Sequence, residues 1–539
     1  MKRFFTFFAL LGAMLFSQQA SAASYNLWIA GTQVTDANKN ALTGITSKGS
    51  ISGGIVTFNS STNVLNIPAG VTIAAEGDNG ITIGAMSLTI KIGSGSVTIN
   101  SNKGGIRMNA EGAYTCTIEG NNTSSSNTVS TLTIEAGTDN SGFHIHKKCT
   151  GVINNLYLIC SRVNGAKWGV DGSNGSSSET LTVKGNSFLT LVGGSYGIGD
   201  LNTLNLQDNH DFYESNSTWA AYFKGGSGCN TFNSDGSQSD GGQIRKATTI
   251  YGVIVCGTSI NNLNAGYIGL KLKANGVLTS AASTVSYNNS SKTLSLNGAT
   301  LKTGVDGIYN YGCDGLIIQC AGTSSITTTA TGTNNAGLYL SSNTTIQGTG
   351  TLNITSSTHG VRVTSSSTAT FTGGLTATIK GTNAVRGYYN SDETSNPNHT
   401  TQNNKVVFNN VNVTMTATNG YACSTFGGGI EVTNCDIVTP VGQHVHGPGN
   451  LSKGWPGYFI GTSANIYSNN TVVIKNNPST TYPVYVAGRR LNSNNYQNIS
   501  WSAISGSVTY TPTSATLTMN GATISYSGIG LDVYSGFNT

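Results

Sequence analysis

The sequence predicts an all-β protein and, within that class, a right-handed parallel β-helix. Apolar Ile, Leu and Val alternate with Ser, Thr and Asn in strands of three to five residues, the pattern of a strand with one buried face. Many of these strands begin directly after a Gly, at intervals of 20 to 30 residues, and a much longer repeat organises the whole chain. No stretch with helical periodicity follows the first 22 residues.

The first 22 residues predict export. Lys2 and Arg3 precede an apolar run from Phe4 to Phe16, and Ala20-Ser21-Ala22 follows as a cleavage site, which together form a signal peptide. The run is too short to cross a bilayer, and no later segment is longer, so we expect no membrane span. The mature protein is expected outside the cell, on its surface or in the periplasm.

Composition excludes several classes of protein. The chain has 70 Gly but only 8 Pro, and only 9% of its residues are charged, whereas disordered chains carry more charge and more Pro. The net charge of +5 is spread thinly, and no basic run could follow a phosphate backbone, so nucleic acid is not an expected partner.

Nine cysteines are few for an exported chain of this length, and their number is odd. No pair has CxxC spacing, so neither a zinc site nor a redox motif is indicated, and we predict no metal and no cofactor. Most of them are expected to be small, buried hydrophobic side chains. The spacing also allows a Cys313–Cys320 disulfide.

A long internal repeat defines the domains. Three segments open alike, and in each a short strand ending in an aromatic residue follows, at Phe58, Tyr287 and Tyr510. The openings are Tyr25-Asn-Leu-Trp-Ile-Ala-Gly31, Tyr251-Gly-Val-Ile-Val-Cys-Gly257 and Tyr482-Pro-Val-Tyr-Val-Ala-Gly488. The predicted domains are residues 1–22 as signal peptide, 23–250 as module 1, 251–481 as module 2 and 482–539 as a partial module 3. Either a partial module closes the end or the chain continues beyond Thr539.

Shorter repeats within each module predict the circuits of the β-helix. A Gly is followed by an apolar residue at Ile81, Ile106, Phe143, Val170, Ile198, Ile308, Leu338 and Val361. From Gly to Gly the spacings are 25, 37, 27 and 28 residues in module 1, then 30 and 23 in module 2. We expect Asn and Gly to supply left-handed backbone at the corners. The residues expected to line the interior are Ile81, Ile106, Val170, Ile198, Ile308, Leu338 and Val361. The alternative is a tandem array of β-sandwiches, which also shows short strands at regular intervals.

These motifs resemble a module that recurs in secreted proteins of gut-type bacteria. The similarity is carried by the Tyr-x-[Leu/Val]-x-[Ile/Val]-x-Gly opening and by the Leu-x-Leu-Asn-Gly-Ala-Thr pattern that ends at Thr300. It implies a parallel β-helix of the pectin-lyase-like kind, often labelled carbohydrate-binding without an assigned ligand. Because the shared motifs are scaffold motifs, they imply architecture rather than activity.

An enzyme of the pectin-lyase-like type would need clustered carboxylates. The chain has 22 acidic residues in 539 and no Asp-Asp pair, so no catalytic residue is predicted. Two His-x-His pairs, His144/His146 and His444/His446, place two rings about 6.5–7 Å apart on one strand face. A third ligand is not evident, so exposed strand histidines are favoured over a metal site.

The candidate ligand-binding residues come from a second repeated motif. The pattern W-x-x-Y-F-x-G occurs at Trp219 to Gly225 and at Trp455 to Gly461, with a histidine nine residues before each Trp. The predicted site residues are therefore Trp219, Tyr222, His210, Trp455, Tyr458 and His446. Aromatic faces stack on sugar rings, but large aromatics at a module boundary also fill the joint between modules, and packing is the stronger of the two interpretations.

The first functional hypothesis is a secreted or cell-surface protein that binds or adheres to glycans, or to another cell-surface polymer, without catalysis. The alternative is a polysaccharide-degrading lyase or glycoside hydrolase of the pectin-lyase-like type. Ice binding through outward Thr rows is weaker, because stretches such as Thr327-Thr-Thr329 and Thr349-Gly-Thr351 do not recur in register.

Overall fold

The structure is a computed structural model of the full chain. It describes residues 23–124, 129–137, 140–164, 167–173, 178–213, 220–364, 366–388, 403–439, 444–446, 458–463, 466–467, 471–476, 481–492, 496–497, 499, 503–526 and 529–533. The predicted signal peptide, residues 1–22, lies outside these ranges. The chain divides into two compact units, Met1–Ala247 and Thr248–Thr539, beside the predicted module boundary at residues 250 and 251.

Unit 1 is built from three stacked sheets, named here 1a, 1b and 1c, and each circuit of the chain adds one strand to each sheet in turn. The parallel strands of sheet 1a are Ile81–Ile83, Ile106–Met108, Ser141–His144, Trp168–Asp171 and Tyr196–Gly199. Sheet 1b contains Val64–Ile67, Leu88–Ile92, Thr115–Glu119, Thr150–Asn154, Thr180–Lys184 and Thr203–Leu206. Sheet 1c contains Thr72–Ala75, Gly95–Ser101, Ser130–Gly137, Tyr157–Asn164 and Phe188–Val192. The long strand Gly49–Asn59 joins sheets 1b and 1c, and Leu42–Thr46 pairs with it.

Unit 2 repeats this plan in sheets 2a, 2b and 2c. The parallel strands of sheet 2a are Ile308–Asn310, Ala336–Leu340, His359–Val363, Asn383–Gly387 and Cys423–Ser424. Sheet 2b contains Val285–Asn288, Thr293–Asn297, Leu316–Ala321, Thr344–Gln347, Thr368–Phe371, Lys405–Asn409 and Gly429–Thr433, with Val285–Asn288 antiparallel to its neighbour. Sheet 2c contains Thr300–Thr303, Thr323–Thr328, Thr351–Ser356, Thr376–Gly381 and Asn412–Ala417. This parallel pairing differs from the antiparallel pairing of immunoglobulin-type sandwiches.

The interior of each unit is a stack of aliphatic side chains held in register. In sheet 1a, Ile81 pairs with Ile106, Ile106 with Phe143, and Phe143 with Val170. In sheet 2a the column runs from Ile308 through Leu338 to Val361. Every apolar residue predicted to line the interior is fully buried, which confirms that prediction. Each such side chain removed from water stabilises the fold by about 1.5–3 kcal/mol.

Antiparallel strands cover the beginning of each stack. The repeated openings form the strands Ser24–Ile29, Ile250–Val255 and Thr481–Val486, which turn back into Thr32–Thr35, Thr258–Asn261 and Arg489–Asn492. Each opening strand also pairs antiparallel with the first strand of its own copy, at Ile81–Ile83, Ile308–Asn310 and Leu531–Val533. The three repeated openings therefore have one structural role.

Antiparallel strands also lie at the far end of each stack. Gly241–Lys246 pairs with Phe188–Val192 and with His210–Phe212 in unit 1. Thr471–Asn476 pairs with Asn412–Ala417 and with Cys435–Thr439 in unit 2. The hairpin of Tyr222–Phe223 with Thr231–Phe232, and a small sheet of His444–His446, Phe459–Ser463 and Ile466–Tyr467, complete these ends.

The third copy differs from the other two in exposure. Its strands Ile504–Thr511 and Thr516–Ile524 form the hairpin that Val285–Asn288 and Thr293–Asn297 form in unit 2. Leu531 and Met519 are 41% and 50% exposed, whereas their counterparts Ile308 and Leu296 are fully buried. In copies 1 and 2 the next circuit covers these positions.

Two features differ from the sequence-based expectations, and the expected burial of the cysteines is confirmed. A short helix, Ile268–Ala274, lies in the opening of unit 2 and buries Ile268 and Leu272; two apolar residues one turn apart are too few to give a periodic signal. All nine cysteines are buried and free, so the Cys313–Cys320 disulfide is not formed. Threonines do align between circuits of sheet 2c, where Thr327 pairs with Thr355 and Thr351 with Thr376.

Candidate functional site

The described part of the first W-x-x-Y-F-x-G motif lies in a hairpin at the end of unit 1. Trp219 lies outside the described residues. Tyr222 stacks on Phe232 with ring centroids 5.3 Å apart, and burial raises the pKa of Tyr222. Phe223 packs against the core of unit 1. The described aromatic residues of this motif therefore contact other protein side chains.

The second copy of the motif also contacts a core. Trp455 lies outside the described residues, Phe459 is fully buried, and Tyr458 is half-buried against the core of unit 2. The backbones of Tyr458 and Phe426 exchange two hydrogen bonds of 2.7 and 3.3 Å. This element closes the end of the stack in unit 2.

The two predicted histidines lie on different strands of these closures. His210 pairs with Lys246, whereas His446 pairs with Phe459, and the side chain of His446 lies outside the described residues. The buried ring of His210 contacts the carbonyl oxygens of Gln207 at 2.6 Å and Ser187 at 3.0 Å. Burial lowers its pKa more than these contacts raise it. Among the described residues no hydrogen bond or ring contact joins His210 to Tyr222.

A different set of side chains forms a column on the outer face of sheet 2a. Tyr309, Tyr339, Arg362 and Arg386 occupy successive strands in register, so that each lies directly beside the next. We call these four residues the Arg–Tyr column. Each member directly follows a fully buried residue, namely Ile308, Leu338, Val361 or Val385. Because successive residues of a strand point to opposite faces, all four members lie on the outer face of the sheet.

Aromatic stacking and cation–π contacts connect the members of the Arg–Tyr column. The rings of Tyr309 and Tyr339 stack with centroids 4.6 Å apart and an interplanar angle of 15°. The Arg362 guanidinium lies 5.5 Å from the ring centroid of Tyr339 and 5.1 Å from that of Tyr388, within cation–π range. Half-buried aromatic rings thus lie next to positive charge on the outer face of sheet 2a, where Arg386 is the more exposed of the two arginines.

The arginines of the column have no ion-paired acid among the described residues, and uncharged groups hold Arg362 in place. Arg362 is buried and donates from Nη1 to Asn334 Oδ1 at 2.7 Å and to the Thr333 carbonyl at 3.2 Å. No Asp or Glu forms an ion pair with Arg362 or Arg386 among the residues the structure describes. Burial lowers the pKa of both guanidinium groups, and the charge of Arg362 lowers the pKa of Arg386 further. Asp306 is close enough to offset part of this effect on Arg362.

A buried histidine supports the column from the same strand. His359 Nε2 donates to the Thr333 carbonyl at 3.1 Å, and Asn383 Nδ2 lies 3.4 Å from Nδ1, which accepts. Burial, Arg386 and Arg362 lower the pKa of His359 to about 4. The ring is therefore neutral at pH 7, and the positive charge of the site comes from the two arginines.

Unit 1 carries a second aromatic and arginine group, on the outer face of sheet 1c. Tyr157 and Phe188 are parallel, with centroids 4.4 Å apart and an interplanar angle of 2°. The Arg245 guanidinium lies 4.7 Å from the Phe188 centroid and 3.9 Å from that of Tyr213. Its Nη2 donates to Gln243 Oε1 at 2.6 Å. We call Tyr157, Phe188, Tyr213 and Arg245 the Arg245 stack.

The sequence contained a signal for the Arg–Tyr column. The repeated Gly-apolar pairs fix the buried position, so the next residue in each circuit points outward and aligns with its neighbours. This rule places three members of the column from the sequence alone. They are the third residues of Gly307-Ile308-Tyr309, Gly337-Leu338-Tyr339 and Gly360-Val361-Arg362. The motifs shared by the two modules do not include this column, because the corresponding residues of unit 1 are of different types.

The predicted pairs of histidines do not form a metal site in the described part of the chain. His144 and His146 have ring centroids 6.0 Å apart, but no group of three His, Cys, Asp or Glu side chains there is arranged to hold a metal ion. The interpretation of His144 as an exposed strand histidine is wrong. It is buried, and its Nδ1 lies 2.9 Å from Asp171 Oδ2, because that carboxylate follows in register on the next strand.

Among the described residues no helix is both long and apolar enough to span a membrane. Comparison of the chain with protein-family models, with curated proteins and with solved structures found no match.

Proposed function

We propose that each unit is a right-handed parallel β-helix of the pectin-lyase-like kind and that the protein is exported and binds glycans without cleaving them. The parallel three-sheet circuits support the proposed fold, since parallel crossover connections are right-handed in nearly all known cases. The signal-peptide pattern of residues 1–22 supports export. The Arg–Tyr column is the single observation that carries the binding function.

The column suits a sugar that bears an anionic group. Tyrosine rings offer amphipathic faces for stacking on a sugar, and a guanidinium binds a carboxylate or sulfate through paired hydrogen bonds. Arg362 and Arg386 lie close together without an ion-paired acid among the described residues. A bound anion would relieve the repulsion between them. The proposed ligand is therefore an acidic polysaccharide, such as a polyuronate.

The Arg245 stack is the second proposed contact surface. The ring of Tyr157 stacks on Phe188, and the Arg245 guanidinium lies between Phe188 and Tyr213. All four side chains are half-buried. The residues of the W-x-x-Y-F-x-G motifs, with His210 and His446, remain a weaker proposal for the same function, since Tyr222 and Phe459 contact other parts of the protein.

Binding of an array of acidic and neutral polysaccharides to the mature protein tests this proposal. Arg386→Gln should weaken binding of a polyuronate about tenfold or more, because a hydrogen bond to a charged group contributes about 1.5–3 kcal/mol. Tyr339→Ala should also weaken binding, because it removes a ring on which the sugar would stack. Lys380→Gln, which removes one charge from the exposed face of sheet 2c in the same unit, is the matched control and should change affinity less than twofold.

Two results would contradict the proposal: equal binding of neutral and acidic polymers, or full binding by both column variants with an unchanged melting temperature. An assay for new reducing ends or unsaturated sugars in the same mixtures tests the alternative, a polysaccharide-degrading lyase or hydrolase. Product formation that continues with time would favour that alternative.

A further inference from the structure

The outer face of sheet 1a carries a polar column that the proposed glycan-binding function does not use. Arg107, His144 and Asp171 occupy successive strands in register. They correspond in position to the Arg–Tyr column of sheet 2a, since each directly follows a buried residue, Ile106, Phe143 or Val170. Here, however, the column combines an imidazole with a carboxylate.

The hydrogen bonds of His144 extend the column to a hydroxyl group. Nδ1 of His144 donates to Asp171 Oδ2 at 2.9 Å, and Ser173 Oγ lies 3.4 Å from Nε2. His144 and Asp171 are each 8% exposed, whereas Ser173 is half-buried. The aspartate fixes the proton on Nδ1, so Nε2 has a free lone pair directed at the serine hydroxyl.

Close packing at Gly172 holds Ser173 in this position. A Cβ atom at Gly172 would lie 2.1 Å from the carbonyl oxygen of Asp200, so only glycine fits between Asp171 and Ser173. The Gly172 amide also donates to the Gly199 carbonyl at 2.9 Å. The backbone of the next circuit therefore fixes the path of the chain between Asp171 and Ser173.

The surroundings of the aspartate act on its charge in both directions. Burial raises the pKa of Asp171 and the charge of Asp200 adds to this, while the hydrogen bond from His144 and the nearby charge of Arg107 lower it. Arg107 pairs with His144 across the strands, which places a positive charge beside the same face. His146 packs edge-on against the His144 ring.

We propose that Ser173, His144 and Asp171 form a site that hydrolyses carboxylic esters. Ser173 Oγ attacks the ester carbonyl carbon while His144 Nε2 takes the hydroxyl proton, and the positive charge of Arg107 stabilises the oxyanion. The C–O bond to the alcohol breaks, and His144 returns the proton to the leaving oxygen. Water then attacks the acyl-serine with His144 as base and releases the acid. Ser173 and His144 are the catalytic residues, and Asp171 is a positioning residue.

A fluorophosphonate that labels activated serines tests the site in the mature full-length protein. We expect one modified peptide, containing Ser173, and slow hydrolysis of p-nitrophenyl acetate that the same reagent blocks. Ser173→Ala and His144→Gln should lose both signals. Ser195→Ala, which changes an exposed serine of the same unit, should keep both.

The variant Asp171→Asn tests whether Asp171 orients the His144 ring or only stabilises the fold. An amide can donate to Nδ1, which moves the imidazole proton to Nε2, so the labelling rate at neutral pH should fall on the order of 10²–10⁴-fold without loss of the folded state. Absence of label at Ser173, or equal labelling of the His144→Gln variant, would overturn the proposal. Glycan binding at the Arg–Tyr column is measured separately. Neither labelling nor absence of labelling at Ser173 bears on it.

Discussion

The glycines that begin the circuits act at the residue scale by leaving space. A Cβ at Gly337 would lie 2.2 Å from Ile354 Cγ2, and one at Gly307 would lie 2.4 Å from Ile326 Cγ2. Neither glycine has the left-handed backbone. The isoleucines of sheet 2c therefore lie so close to the glycines that begin the strands of sheet 2a that a side chain at either glycine would force the two sheets apart.

His359 gives a pH dependence that can be isolated. Its pKa of about 4 in the folded protein lies below the ordinary value of about 6.5. As the pH falls through this window the unfolded chain binds a proton that the folded protein does not, so stability is lost as the pH falls. The neutral variant His359→Gln should be less stable than wild type at pH 7, and the difference should shrink by on the order of 2 kcal/mol towards pH 4.

Denaturant unfolding of both proteins between pH 7 and pH 4 measures this difference, and the comparison cancels the titration of all other groups. A difference that stays constant over this range would show that His359 keeps its ordinary pKa.

The same scale shows what the sequence could predict. The buried residues followed from the Gly-apolar repeats because a column in register needs the same residue class in each circuit. Asn at the corners was also predicted for the right reason, since Asn155, Asn410 and Asn434 have φ values of 49°, 55° and 52°. The bond between His144 and Asp171 could not be predicted, because it depends on 27 residues of chain closing one circuit in exact register.

At the scale of the element, the repeated motifs close the ends of the stacks. A parallel stack would otherwise present unpaired backbone groups and apolar side chains at both ends, which favours aggregation. The opening hairpins cover the first strands, and the strands Gly241–Lys246 and Thr471–Asn476 lie at the other ends. The motifs that recur between the copies are therefore those that cover the ends of the stacks. The residues of the outer columns differ between the two units.

This distinction predicts how the second W-x-x-Y-F-x-G motif responds to mutation. Phe459→Ala should cost about 3–5 kcal/mol, because the ring is fully buried. We expect Trp455→Ala also to lower the melting temperature and to leave glycan affinity per folded molecule unchanged. Calorimetry and binding measured on both variants check this. Unchanged melting of the Trp455 variant with a loss of about 1–3 kcal/mol of binding, the range for aromatic stacking on nucleobases, would instead make Trp455 a ligand-binding residue.

For the whole molecule, the nine buried thiols report on the integrity of both cores. Burial raises the pKa of Cys160, Cys256 and Cys320 to about 12, and the thiolate is the reactive form. The native protein should therefore react only slowly with a thiol reagent such as DTNB. In denaturant all nine should react, because none is in a disulfide. Seven reactive thiols in denaturant would reveal one disulfide bond.

The unequal circuits of unit 1 have a consequence for how such a chain can change. The circuit from Ile106 to Phe143 spans 37 residues and that from Ile81 to Ile106 spans 25, yet all three side chains align in one buried column. Extra residues are accommodated between strands, as in the interval between Thr115–Glu119 and Ser130–Gly137, without altering the register. Insertions at such corners are thermodynamically inexpensive, so the same interior can display loops of very different size, and selection for new recognition surfaces need not disturb the stack beneath them.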